Sequence, residues 1–248
     1  MTRYDNLTEL LLTLGDSAMV QAQRLCELVG KAPALEEEVA LMNVGLDLVG
    51  QARNWLEYAA ERIDDGRNAD DLVFRRDERA YRNLLIVEQP NGDFAMVMAK
   101  QFLFDAWHYQ VLARLANHAD AQIAAIAKKS IKEVEYHLRR SSEWVRRLGD
   151  GTDESHQRMQ TAIDKIWRFS FELADSAVVL TNEIPEGDSI CSSWHTTVAN
   201  VLNESTLSEP APAPAIYLSG HTGMHSEHLG LLLAEMQFLP RAYPDANW

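Results

Sequence analysis

Asp105-Ala-Trp-His108 and Val134-Glu-Tyr-His137 are the two stretches on which the reading of this chain turns. A three-residue step along a helix returns to nearly the same face, so a carboxylate followed by histidine three residues later aims an oxygen and an imidazole in one direction. Helical bundles that hold paired iron ions use this geometry: two helices each give a lone carboxylate and two others each give a Glu-x-x-His turn. Here the first stretch offers aspartate, whereas the second places valine where the carboxylate would stand. Valine has no donor atom. The spacing predicts the frame of an iron site with most ligands missing, in a protein that acts through a partner.

Outward from these stretches, Asp93 caps a helix that runs to about His118 on a stripe of Phe94, Met98, Phe102, Leu112 and Leu115. Asp105 and His108 lie within that stripe, so both are expected to be buried. A second helix, following the link at Ala119 and Asp120, carries Ala127, Ile131, Val134, Leu138, Val145 and Leu148 and stops at Gly149 to Gly151. Toward the N-terminus, one helix is expected over 7–29, on Leu7, Leu10, Leu11, Leu14, Ala18, Ala22, Leu25 and Leu28, with Asn6 or Thr8 as its cap. Another runs from the glutamates at 36–38 to about Ile63. Its apolar residues leave only a narrow stripe of Asn43, Asp47, Gln51, Asn54 and Tyr58, so the helix is expected to be largely buried.

Between the two helix pairs lies a crossover over 64–93, with one short helix expected around Arg76 to Glu88. Two hairpins with short loops joined by one long crossover give the connectivity of ferritin-like bundles. The expected fold is therefore all-α: a ferritin-like four-helix bundle over about 7–149, with additional C-terminal helices over about 153–239, in a single domain spanning 1–248. The extra helices are expected at 153–180, 189–207 and 222–239, with a stiff Pro-Ala linker at 210–214. No repeat and no strand is discernible.

Lys and Arg number 23 against 37 Asp and Glu, a formal charge of -14, which opposes binding to nucleic acid or an anionic membrane surface. No apolar run approaches the roughly 20 residues of a membrane helix. Two cysteines are too few for a disulfide framework, and no secretory leader is apparent, so the cytoplasm is the expected location. Cys26 and Cys191 read as small buried hydrophobes.

Counting residues from each hairpin loop places Asp105 level with residue 134, and Leu48 level with Ser17 or Ala18. Asp16 points away from the apolar stripe and is expected to face solvent. The places for lone carboxylate, Glu-x-x-His, lone carboxylate and Glu-x-x-His are then filled by Ser17 or Ala18, Leu48-x-x-Gln51, Asp105 and Val134-x-x-His137. Only Asp105 and His137 remain as ligands, so the chain is expected to bind no metal and to have no catalytic residue. Asp47, Gln51, Asn54, Asp105, His108 and His137 are expected to satisfy one another as a structural polar network.

Other features are weaker. His221, His225 and His228 step by four and three along an expected helix face, compatible with a metal site or with capping and partner contact. Glu133 and His137 have the spacing of a general acid–base pair, and equally that of a surface hydrogen bond. Trp55, Trp107, Trp144, Trp167, Trp194 and Trp248 are read mainly as core or interface anchors. Gly149-Asp-Gly151 is a turn, since it lacks the strand and lysine of a phosphate loop.

Several longer stretches carry a resemblance: residues 45–53 (GLDLVGQAR), 76–79 (RDER), 84–94 (LLIVEQPNGDF), 105–108 (DAWH), 131–139 (IKEVEYHLR) and 225–230 (HSEHLG). On these, essentially end to end, the chain resembles the C subunits of bacterial ring-epoxidising phenylacetyl-CoA oxygenases, the 1,2-phenylacetyl-CoA epoxidases. The resemblance implies a structural, non-catalytic subunit without a cofactor of its own. Its partner would be a catalytic A subunit that holds the iron and epoxidises phenylacetyl-CoA with dioxygen, with the reductase and other small subunits as further associates. Electrons would come from NADPH through a separate flavin and iron-sulfur reductase. Two alternatives stand beside it: a divergent oxygenase with an unconventional metal site at Asp105, His108 and His137, and a free-standing homodimeric bundle.

Overall fold

The computed structural model describes residues 4–174, 189–211, 216–244 and 246. Among these the chain is all-α, and the one extended pairing is an isolated bridge between Ser219 and Met224. The residues group into two compact units, Met1–Pro90 with Leu218–Trp248, and Asn91–Tyr217.

The first unit is built on an antiparallel hairpin of α1 (Asn6–Cys26) and α2 (Leu35–Ile63). Asp5 caps α1 by accepting the Thr8 N–H at 2.7 Å, one residue ahead of Asn6 and three ahead of Thr8, the expected caps. The hairpin closes tightly at Gly15, where an added Cβ would stand 2.6 Å from Leu56 Cγ on α2. The crossover does not form the single helix expected around Arg76 to Glu88. It breaks into α3 (Ala69–Phe74), a 3-10 turn at Glu78–Ala80 and α4 (Leu85–Glu88). Tyr81 and Leu84 between them are extended, which lets Arg76, Arg82 and Asn83 turn inward instead of winding round a helix.

Those side chains overturn the expected solvent exposure of Asp16. Asp16 is completely buried, gripped by two N–H groups of Arg76, and it also accepts the Arg82 backbone N–H at 2.8 Å. The Arg82 guanidinium continues to Glu9 at 2.7 Å, and the Leu84 N–H donates to Ser17 Oγ at 3.1 Å. The polar face of α1 is thus covered by a second layer, and nearly every residue from Thr8 to Ala18 is buried. Helix α2 departs from expectation in the opposite sense. Leu48, Ala52, Trp55, Leu56 and Ala59 are buried, but Leu35, Val39 and Leu46 are more than half exposed.

Near the C-terminus, the helix expected over 222–239 starts later, as α10 (Glu227–Met236), followed by α11 (Phe238–Ala242). Gly223 has φ +80°, and its Cα lies so close to the Arg79 carbonyl that a side chain would collide with it. The backbone from Ser219 to Ser226 is therefore a packed turn around a short 3-10 segment at Gly220–Thr222 and not part of an α-helix.

The second unit centres on the hairpin of α5 (Phe94–Leu115) and α6 (Ala121–Gly149), capped by Asp93, as expected, and by Asp120 of the expected link. Helices α7 (Asp153–Trp167) and α9 (Ile190–Glu204) pack against both, with α8 (Phe171–Ala174) beside α9. The expected fifth helix thus stops at Trp167 and resumes only to Ala174, while residues 175–180 lie outside the described residues, as do 212–214 of the linker and Trp248. Trp194 anchors α9 by donating its indole N–H to the Leu103 carbonyl at 3.0 Å. Trp55, Trp107 and Trp194 are buried, whereas Trp144 and Trp167 are half-buried. Cys26 is exposed and Cys191 half-buried, so neither is the fully buried hydrophobe expected. The order hairpin, crossover, hairpin is that of a ferritin-like all-α fold.

Removing one partner of a buried ion pair leaves an uncompensated charge. Asp16→Ala is therefore expected to lower the unfolding free energy by about 3–5 kcal/mol, measured by urea denaturation. A loss below about 1 kcal/mol, the surface ion-pair range, would show that the crossover arginines do not hold α1.

Candidate functional site

The polar residues of the α5–α6 hairpin sit where its apolar stripes meet. Asp105 on α5 is buried, and its Oδ2 accepts the Ser141 Oγ–H of α6 at 2.8 Å. Its Oδ1 has no hydrogen-bond partner among the described residues. Burial pushes the Asp105 carboxyl up to about 8, and the Ser141 hydroxyl, the Arg140 guanidinium and the Gln101 amide offset only part of that effect. At neutral pH this carboxyl therefore holds its proton.

His108, one turn further along α5, is driven the other way. Burial, joined by the nearby His137, lowers its imidazole to about 3, so the ring is neutral. Its ring lies 5.1 Å from that of Phe104 and stacks on Trp107 at 6.2 Å, and neither nitrogen has a hydrogen-bond partner among the described residues. His137 and Val134 on α6 are fully buried. Glu133 is half-buried one residue before Val134, so it and His137 differ in environment.

Counting from the loop set Asp105 opposite residue 134, but its hydrogen bond goes to Ser141, seven positions on. Such counting takes the helix axes as parallel, whereas packed helices cross at an angle and side chains reach along the axis. Ser141, Arg140 and Gln101 were missed. The available signal was Ser141's place in the α6 stripe, four residues after His137.

The remaining expected positions belong to the first unit. Leu48 and Gln51 on α2 are buried, while Asp47 and Asn54 are only half-buried, because α2 turns that flank toward the surface. The C-terminal histidines do not share a helix face. His221 lies in the 3-10 turn Gly220–Thr222 beside Ser219 Oγ, at 2.9 Å, and only His228 belongs to α10. The His225 side chain has no exposed surface, so it offers nothing to a partner. Its Nδ1 stands 2.9 Å from Glu88 Oε2 and its Nε2 3.1 Å from the Tyr81 carbonyl oxygen. Glu88 also accepts the Ser226 N–H at 2.6 Å and an Asn83 amide N–H at 3.0 Å. This knot fastens the turn before α10 to α4.

Paired iron ions need ionised oxygens to balance their charge and bridge them. The corresponding positions here are hydrocarbon at Leu48 and Val134 and a neutral amide at Gln51, which leaves Asp105 as the one carboxylate among them. These residues do not fit an iron pair. Among the described residues no group of three or more His, Cys, Asp or Glu side chains has a metal-binding arrangement, and no helix is long and apolar enough to cross a membrane.

Fold and site together define a ferritin-like helical protein whose iron-ligand positions hold groups unsuited to iron. More particularly, the chain belongs to the family described as phenylacetic acid catabolic protein, whose model matches residues 2–248. It is 48% identical over 249 residues to the C subunit of the 1,2-phenylacetyl-CoA epoxidase of Escherichia coli (strain K12), covering 98% of this chain and 100% of that protein.

The two shifts make opposite contributions to pH dependence. A carboxyl raised to about 8 keeps its proton in the folded state while the unfolded state loses it above about 4. Stability from Asp105 is therefore full below about pH 4 and falls by up to about 1.4 kcal/mol per unit until about pH 8. An imidazole lowered to about 3 gives a rise of similar slope up to about pH 6.5, above which it contributes nothing further. The two offset one another below pH 6.5, so Asp105→Asn should flatten the decline between pH 6.5 and 8 in urea-denaturation measurements. An unchanged decline in that variant would show that Asp105 is ionised in the folded protein.

Proposed function

We propose that this chain is the non-catalytic structural subunit of a multicomponent oxygenase that epoxidises phenylacetyl-CoA in aerobic phenylacetate catabolism. It pairs with the iron-bearing A subunit and stabilises it, carries no cofactor itself, and works in the cytoplasm. Electrons reach the A subunit from NADPH through the reductase. The observation that carries this reading is the donor chemistry of the expected ligand positions: Leu48 and Val134 are hydrocarbon and Gln51 is a neutral amide, which leaves Asp105 as the one carboxylate. The named relative supports the assignment to the oxygenase, and the net charge of -14 fits contact with a protein and not with nucleic acid or an anionic membrane.

A second reading, a divergent oxygenase with its own metal at Asp105, His108 and His137, has one observation in its favour. His108 presents two ring nitrogens with no partner among the described residues. Iron analysis separates the two. The purified chain should contain no stoichiometric iron, and co-expression with the A subunit should yield a stable complex in which the iron follows that subunit. About two iron ions per chain in the protein expressed alone, the content of an intact bundle site, would reverse the assignment.

A further inference from the structure

On α2, Leu35, Val39, Leu46 and Val49 are 73%, 53%, 69% and 39% exposed. With half-buried Met42 between them they step by four, three, four and three residues, the spacing of a coiled-coil seam. The seam runs about 21 Å at 1.5 Å per residue. Single exposed apolar side chains are ordinary, but five in heptad register on one helix face form a continuous strip. Nothing in its own unit covers that strip, while the opposite face of α2 packs on α1.

Charge selects what covers it. Glu36 and Glu38 flank the N-terminal end of the seam, and Asp47, Glu57 and Glu61 follow along the same helix against Arg53 and Arg62, which are already paired with Glu57 at 2.7 Å and Asp5 at 2.8 Å. On its α2, a second copy of this chain offers the glutamates no cation but Arg53, which Glu57 of its own helix already holds, and Arg62, which Asp5 holds. In parallel they meet themselves. In the antiparallel register that sets Leu35 against Val49 they meet Leu46–Ala52, whose one charge is Asp47. The suitable occupant is a helix of another chain with its own apolar heptad seam, flanked by lysine or arginine where it passes Glu36.

We infer that the Leu35–Val49 face of α2 is the seat for such a helix of the iron-bearing subunit, an inference that rests on the proposed pairing with that subunit. The test measures the affinity of the full chain for the purified iron-bearing subunit, alongside the chain's own melting temperature and oligomeric state. Val39→Glu/Leu46→Glu should weaken binding by at least about 100-fold, the scale of lost interface anchors, with melting unchanged because both side chains are exposed. The milder Leu46→Gln should weaken binding by about tenfold and serves if the double variant fails to fold. Glu36→Lys should lower affinity and remove much of its salt dependence, whereas Leu231→Glu, on an exposed site of α10, should bind as the parent does. Parent-like binding by folded Val39→Glu/Leu46→Glu and Leu46→Gln would overturn this seat while leaving the pairing intact. Failure of the parent chain itself to bind would overturn the pairing and the seat together. A stable homodimer of the isolated chain that Leu46→Gln dissociates would overturn the choice of occupant.

Discussion

The anchoring of the crossover on α1 through Asp16 conditions the rest of the first unit. Arg76 reaches Asp16 with two N–H groups, the Arg82 backbone adds a third donor, and the Arg82 side chain goes on to Glu9. With its polar face sealed this way, α1 becomes the central rod of its unit, buried on nearly all sides. Helix α2 is then free to turn one face outward. The same segment, drawn in at Leu84 by Ser17, presents Glu88 to Ser226 and His225 and so sets where the C-terminal turn must lie.

The second unit treats its buried carboxylate in the opposite manner. Asp105 receives one hydroxyl bond, and the Arg140 guanidinium only partly offsets the cost of burial. It therefore rests as a neutral acid near pH 7, a state that costs about 4 kcal/mol relative to a free aspartate at that pH. Leaving the charge on a buried carboxylate without compensation would cost at least as much. Beside Val134 and the neutral His108, the result is a hairpin interior without fixed charge at the positions where an iron pair would demand it.

The helices themselves were legible in the sequence because they depend on local rules. Asp93 caps where its position suggested, and the 3.6-residue period located α5, α6 and α9 within a few residues. The burial of Asp105 and His108 followed from their place in an apolar stripe. Asp16 could not be read that way. Periodicity divides a helix into an apolar and a polar face, and it has no means of registering that arginines sixty or more residues away will cover the polar one. His225 was hidden for a related reason: its role depends on Glu88, brought to it by packing and not by spacing.

The sequence by itself determined an all-α chain with ferritin-like connectivity, and it put valine and leucine at two of the expected ligand positions without a donor atom, since donor atoms are a property of residue identity alone. Only the tertiary structure decided which faces are covered. It buried Asp16, gave Asp105 to Ser141, and left the Leu35–Val49 strip of α2 uncovered. Burial and hydrogen-bond partners depend on which segments meet across long stretches of chain, and local pattern holds no record of those meetings.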